Sequence, residues 1–428
     1  MNVMPASVGR RTVVMLCAGA LLASSCNSLE VPDSNTATQA RLAVERAQPR
    51  LSESLLASHG LEEIWYLEAI AADGGQSGIA AVHLLADGLF VVTQPARENG
   101  DRHLIRFHRQ SGESIWYERL PGVPQFAPSA YHYSATAGKD PELYYAHEDS
   151  IVCLDLDTGR MLWSMALSIP ISTSLVADEV SVFAGSDLKK CFAVPKGNSV
   201  ETWTYVTGGR IEAAPLLVSD KVVFASHDGH VVGLDPAKGF DTIRSWDFAT
   251  GARVRADLAA FDRWIFVGSE DYKLYCLRTD GSVAWSYVAE APIVDAPVSF
   301  RVAPNRDFVF AISDRDALRR SSRALLAIPL PRTGDDRAQP IWRVENVRKI
   351  ITVGRDKLYV LMEPGVAGER VLAAIDLATG KESFRIDIEG WNFVAMNSAK
   401  DGRDPIERGR IYLASQSGAI QVIGEKLR

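Results

Sequence analysis

A chain of 428 residues that is 47% hydrophobic and 23% charged can bury a large core, and its 32 glycines and 20 prolines imply many turns. The formal net charge of -7 leaves no electrostatic footprint for DNA or RNA, and no lysine or arginine block is large enough to hold a membrane surface by charge. Nucleic acid is thereby excluded as a partner class, and a strand-rich globular protein is expected.

The first 26 residues stand apart. Arg10 and Arg11 precede an unbroken apolar run from Val13 to Ala23, followed by Ser24, Ser25 and Cys26. A bilayer-crossing helix needs about 20 apolar residues. This run is too short, and the stretch reads as an export signal: a positive end, an apolar region and small residues before a cleavage point. "LLASSC" resembles the lipobox of bacterial lipoproteins, although Ala23 stands where that motif has Leu. The resemblance implies a signal peptide over residues 1–25, lipidation of Cys26 and attachment to a membrane through a lipid anchor. Asn27, in place of Asp, resembles lipoproteins sorted to the outer membrane. Residues 26–35 read as a tether. Residues 36–60 read as a helical segment capped by Ser34 or Asn35, with Leu42, Leu51 and Leu55 as a sparse apolar stripe, a restart at Pro49 and a stop at Gly60.

Beyond residue 60 one unit repeats. In "IVCLDLDTGRMLW" a strand, a tight turn and a second strand end on an aromatic residue, and the spacing from the turn glycine to that residue recurs at Gly112/Trp116, Gly159/Trp163, Gly281/Trp285 and Gly380/Phe384. Gly197/Trp203, Gly239/Trp246 and Gly334/Trp342 keep the order with longer turns. Successive aromatics lie 39 to 57 residues apart, the period of one four-stranded propeller blade. A second column, from "LFVVT" at Leu89 to "IYLAS" at Ile411, contains eight strands. The eighth is followed by one more strand before the chain ends, while "IWYLEAI" from Ile64 has an outer strand's alternation with no inner strands before it. The sequence therefore predicts an all-β fold: an eight-bladed propeller of four-stranded antiparallel blades over residues 61–428, closed by the N-terminal strand.

The carboxylates of this pattern have a structural explanation. Asp155, Asp235 and Asp376 share one position before the turn, where an aspartate bonds turn amides. One such residue per blade cannot supply the several ligands a metal needs around one point. "HDGH", His227 to His230, places two imidazoles on a tight turn but aligns with "EDYK" and "QSGA" in other blades, and a third ligand is missing. No catalytic motif is present, and neither a metal nor a cofactor is expected. Cys153, Cys191 and Cys276 share one strand column in separate blades. Packed sheets lie about 10 Å apart, beyond the ~7 Å Cα limit for a disulfide. Free thiols follow.

The Asp-x-x-Thr-Gly turn with an aromatic four residues on resembles the pyrroloquinoline-quinone (PQQ) repeat of quinoprotein dehydrogenases and of the BamB family of outer-membrane assembly lipoproteins, over Ile64 to Ile423. The same blades serve enzymes and scaffolds, so the repeat implies fold more than activity. Quinoprotein dehydrogenases carry long insertions, adjacent cysteines and a carboxylate-rich calcium site, none of which this sequence shows. The resemblance therefore implies a non-catalytic, lipid-anchored scaffold that docks envelope proteins, on the outer membrane facing the periplasm. A quinone-binding or other small-ligand-binding propeller, with PQQ-dependent oxidoreductase activity, is the second reading.

Segments joining the outer strand of one blade to the inner strand of the next converge at the channel mouth. Near the aligned Ala127-Pro128, Ala214-Pro215 and Ala296-Pro297 lie Arg210, Glu212, Arg253, Arg255 and Asp295, charged where packing alone would favour apolar residues. A mixed-charge rim suits recognition by complementary pairs, with the arginines as anchors. The alternative is a self-neutralising ring, Arg210 with Glu212 and Arg255 with Asp295. Charged insertions at 135–141, 314–320, 332–339 and 398–408 are further places for partners to read.

Overall fold

The computed structural model describes residues 48–426 apart from 73–74, 96–99, 198–202, 239–242, 304–305, 316–322, 331–337, 364–368 and 399–405. The signal segment, Cys26, the tether, residues 36–47 of the expected helix and much of the last three insertions lie outside the described residues.

The strands form eight antiparallel sheets. Blade three shows the pattern: Val176–Ala177, Ser181–Ser186, Lys190–Pro195 and Trp203–Val206 pair in sequence order from channel to rim. Blade eight takes Phe393–Val394, Arg410–Ala414 and Ile420–Glu425 from the end of the chain and Leu61–Leu67 from its beginning, with Leu61 opposite Glu425 and Leu67 opposite Ile420. Blade one departs from four strands, because Ile70–Ala72 adds a short fifth to the inner edge of Gly75–Leu85.

Closure can be read from the cores. A blade strand is buried on both faces, so alternate residues serve opposite neighbours: Val182 and Ala184 pack with blade two, and Phe183 with blade four. This is why "SVFAGS" is buried throughout, whereas the outer strand Met161–Ala166 buries mainly Met165. Among the described residues there are eight apolar clusters, each shared by two adjacent blades, and one of them joins Trp65 and Tyr412 of blade eight to Leu89 and Val91 of blade one. An open row of eight blades has seven interfaces. The eighth makes it a ring.

Neighbouring blades are also latched by the repeat itself. The Trp116 indole of blade one donates to the Leu156 carbonyl of blade two at 2.9 Å, and its ring lies over Gly159, where a Cβ would come within 2.5 Å. Trp65, Trp246 and Trp342 make the same bond to Arg109, Thr279 and Leu377 and cover Gly112, Gly281 and Gly380. The glycine thus has two causes: a positive φ at the turn, +76° at Gly159, and the neighbouring indole. Asp155 acts within the same turn. Its Oδ1 accepts from the amides of Asp157 and Thr158 and from the Thr158 hydroxyl, as Asp376 does in blade seven.

The helix in the described part is short, Glu53–Ser58, with Ser52 as its cap. Leu55 is exposed, and Leu56, with Leu51, enters the core between blades seven and eight. Gln421, on the strand Ile420–Glu425 that receives the closing strand, fixes the approach: its side chain accepts from the Leu51 amide and donates to the Leu51 carbonyl, both at 2.9 Å.

The three cysteines among the described residues are free and buried, and each sits in a different interface, Cys153 between blades two and three, Cys191 between three and four, Cys276 between five and six. Burial pushes the Cys153 thiol up to about 12 and those of Cys191 and Cys276 upward as well, so little nucleophilic thiolate exists at neutral pH. Maleimide should leave these three unmodified in the native protein and label all of them in denaturant; a thiol blocked by disulfide formation beforehand would refute this arrangement.

Candidate interaction face

The mouth of the channel is built by repeated short loops. Between blades three and four "TGGR" (207–210), and between blades four and five "TGAR" (250–253), run over the turn of the following blade. Gly208 donates its amide to Asp228 at 2.6 Å, and Gly251 donates to Asp271 at 2.7 Å. Burial alone would raise the Asp228 carboxyl, but bonds from Ser226, His230 and Gly208 hold it below the ordinary range. A Cβ on Gly209 would lie 2.4 Å from the Asp228 amide nitrogen, so a side chain there would lift the loop. The charged side chains therefore project from a fixed platform.

The predicted rim residues separate into two places. Glu212 is the hub of one: Arg210 lies 2.7 Å from its carboxylate, Arg255 3.3 Å and the His227 ring 3.0 Å. Burial opposes its charge, yet His227 and Arg210 keep the Glu212 carboxyl below its usual value. Arg255 also approaches Glu270 at 3.6 Å. Arg253 is exposed and makes no ion pair among the described residues.

Asp295, expected on the rim, belongs elsewhere, and the alternative pairing with Arg255 does not form, because Asp295 pairs with Arg323. The amides of Ile211, Val254 and Ile293 bond the carbonyls of Ser186, Ser226 and Ser269 and so align the three links. In that register Glu212 and Arg255 share a column with Val294, while Asp295 falls one residue on, with the buried Ala213 and Ala256. The alternation turns it off the rim and into a cavity lined by blades six, seven, eight and one, where it meets Arg323, itself 2.9 Å from Asp314. Burial holds its carboxyl above the ordinary value in spite of Arg323.

Apolar residues beside the rim escaped the sequence reading. Leu188 and Val206 of blade three, and Tyr272 and Val288 of blade five, are about half exposed or more, Val206 at 65%. Leu188 lies on the turn whose next carbonyl, that of Lys189, accepts from Thr207, so it flanks the Arg210 loop. In sequence these residues were indistinguishable from strand ends, although the turn position of Leu188 and Tyr272 was a usable signal.

The two imidazoles of "HDGH" diverge. His227 faces Glu212, and His230 bonds Asp247 at 2.7 Å. Among the described residues no three His, Cys, Asp or Glu side chains gather as a metal site would require.

Across the mouth, residues of blades six, seven, eight and one enclose a cavity of about 520 Å3. Its floor is apolar, with Ile350, Phe393, Val394 and Met396, and Arg348, Lys349 and Arg370 stand on its blade-seven side.

The sequence model described as outer membrane protein assembly factor BamB matches residues 101–244. The crystal structure of BamB from Moraxella catarrhalis superposes with a TM-score of 0.58 over 86% of this chain and 98% of that one, at 16% identity. The chain is a BamB-like PQQ-repeat propeller. A computationally designed protein, Ika8, has the same fold at 13% identity, with a TM-score of 0.53 over 85% of this chain and 99% of that one. No curated protein matches in sequence. The BamB-like propeller thus keeps its architecture at low identity, as expected where the repeat fixes turns and interfaces and leaves rim positions free.

Proposed function

We propose that this BamB-like propeller is a non-catalytic scaffold, anchored through lipid on Cys26 to the outer membrane and facing the periplasm, where it docks partner proteins in outer-membrane protein assembly. The fold shared with BamB over most of both chains supports the reading, as does a rim with three arginines on a rigid platform, flanked by exposed apolar side chains. Arginine and apolar residues together form the compositional core of protein interfaces. Arg210, Arg253 and Arg255 are the anchors in this reading, and Glu212 orients two of them. Asp295 takes no part at the rim.

The experiment is capture of cross-linked neighbours from intact cells, which should return envelope proteins in stoichiometric yield. Adding PQQ with Ca2+ to the purified chain tests the enzyme reading. A ligand at 100 times its dissociation constant stabilises by about 2.7 kcal/mol, whereas a scaffold should show no shift in thermal unfolding. A clear PQQ-dependent shift would overturn the proposal.

A further inference from the structure

The cavity across the mouth lies in blades six to eight and one, away from the arginine rim of blades three to five. Its volume of about 520 Å3 falls within the range of ligand sites, about 300–1,000 Å3. One wall is electrostatically complete, since Arg323 serves both Asp295 and Asp314. The blade-seven wall holds Glu363 beside Arg348, Lys349 and Arg370, and Asp295 feels Arg348 as well as Arg323. None of these three cations makes an ion pair within 4 Å among the described residues, and the four cations of the cavity outnumber Asp295, Asp314 and Glu363. Lys349 donates to the Val394 carbonyl at 2.9 Å, and Arg370 to the carbonyls of Trp391 and Asn392, so backbone oxygens hold both cations in place without neutralising them. Their mutual repulsion is felt by their neighbours. Desolvation first, and then Arg348, keeps the Lys349 ammonium below its ordinary value, and burial together with Lys349 lowers His83 to about 4. A cluster of like charges in a partly enclosed site favours an incoming anion.

We propose that this cavity is a receptor for an extended acidic peptide segment of a partner protein. One carboxylate seats between Arg348, Lys349 and Arg370, and an adjacent apolar side chain rests on Phe393, Val394 and Met396. The lining sets the cations beside the apolar Ile350, Phe393, Val394 and Met396, the combination that an acidic residue with an apolar neighbour in a peptide would complement. The inference takes from the scaffold reading only that the occupant is protein, and the site is a second one, separate from the rim.

Calorimetric titration of the purified chain with the blocked hexapeptide Ala-Leu-Glu-Phe-Asp-Leu tests it. Binding should saturate, weaken with salt and fall at least tenfold when the peptide carries Gln and Asn for Glu and Asp. Arg348→Gln with Arg370→Gln should weaken the acidic peptide at least tenfold at unchanged melting temperature. The triple change of Arg210, Arg253 and Arg255 to alanine should leave it alone, which separates failure of this site from failure of the rim. No saturable binding, equal binding of the neutral peptide, equal binding by a folded double variant, or equally tight binding of sodium hexanoate, which would mark a site for small organic anions, each overturns the proposal.

Discussion

Changing Arg210, Arg253 and Arg255 together to alanine will abolish partner capture by a propeller that stays folded. The three guanidinium groups are exposed, and exposed substitutions away from caps, strained turns and cores usually change stability by no more than about 0.5 kcal/mol. Their carboxylate hub is not orphaned by the change, because His227 remains 3.0 Å from Glu212. Binding is another matter. An interface anchor is worth about 2 kcal/mol or more, so the loss of even one weakens a complex roughly thirtyfold. Arg253 has no ion-pair partner among the described residues and should contribute most, since it breaks no such pair on binding. Circular dichroism and thermal unfolding establish that the variant is folded, and the yield of cross-linked neighbours gives the result. An undiminished yield from a folded triple variant would remove the rim as the docking surface.

The largest stability effect should fall on the blade-to-blade latch. Trp116→Ala removes a buried indole, its bond to Leu156 and the cover over Gly159, and truncation of a buried aromatic costs about 3–5 kcal/mol. The glycine side of the latch offers a sharper comparison. Gly159 and Gly197 have nearly the same backbone, with φ of +76° and +73°, but a Cβ at Gly159 meets the Trp116 ring at 2.5 Å while none of the described residues lies within 4 Å at Gly197. Gly197→Ala should therefore show only the left-handed backbone penalty, on the order of 1 kcal/mol. Gly159→Ala should cost at least that much again. Equal losses in denaturant titrations would mean that the indole yields freely and the latch holds little.

The blades were legible in sequence because turn, strand and aromatic recur within a dozen residues, and local pattern carries local structure. The role of Asp155 followed from the turn alone. What the tryptophans do was not legible, since Trp116 finds its acceptor at Leu156, in the next repeat. The rim was half visible. Arg210, Glu212 and Arg255 came together as neighbours, but Asp295 was misplaced by a single position in a strand-like segment, where one residue exchanges rim for cavity. His227 entered the Glu212 cluster from a turn dismissed as surface chemistry. The three cations at Arg348, Lys349 and Arg370 span a strand and a turn of blade seven, and only the fold brings them to one wall.

The seam in blade eight has a consequence for how the molecule is made. Leu61 lies opposite Glu425, so the strand synthesised first must wait for the one synthesised last. Until then the nascent chain is an arc whose terminal blades present uncovered apolar faces and an unpaired edge, the condition in which incomplete domains aggregate. The waiting strand has the same pairing register for the eighth blade of a second molecule as for its own, which opens a route to exchanged dimers. Ring closure is thereby a contest between two copies of one segment, decided by the effective concentration that the intervening seven blades impose.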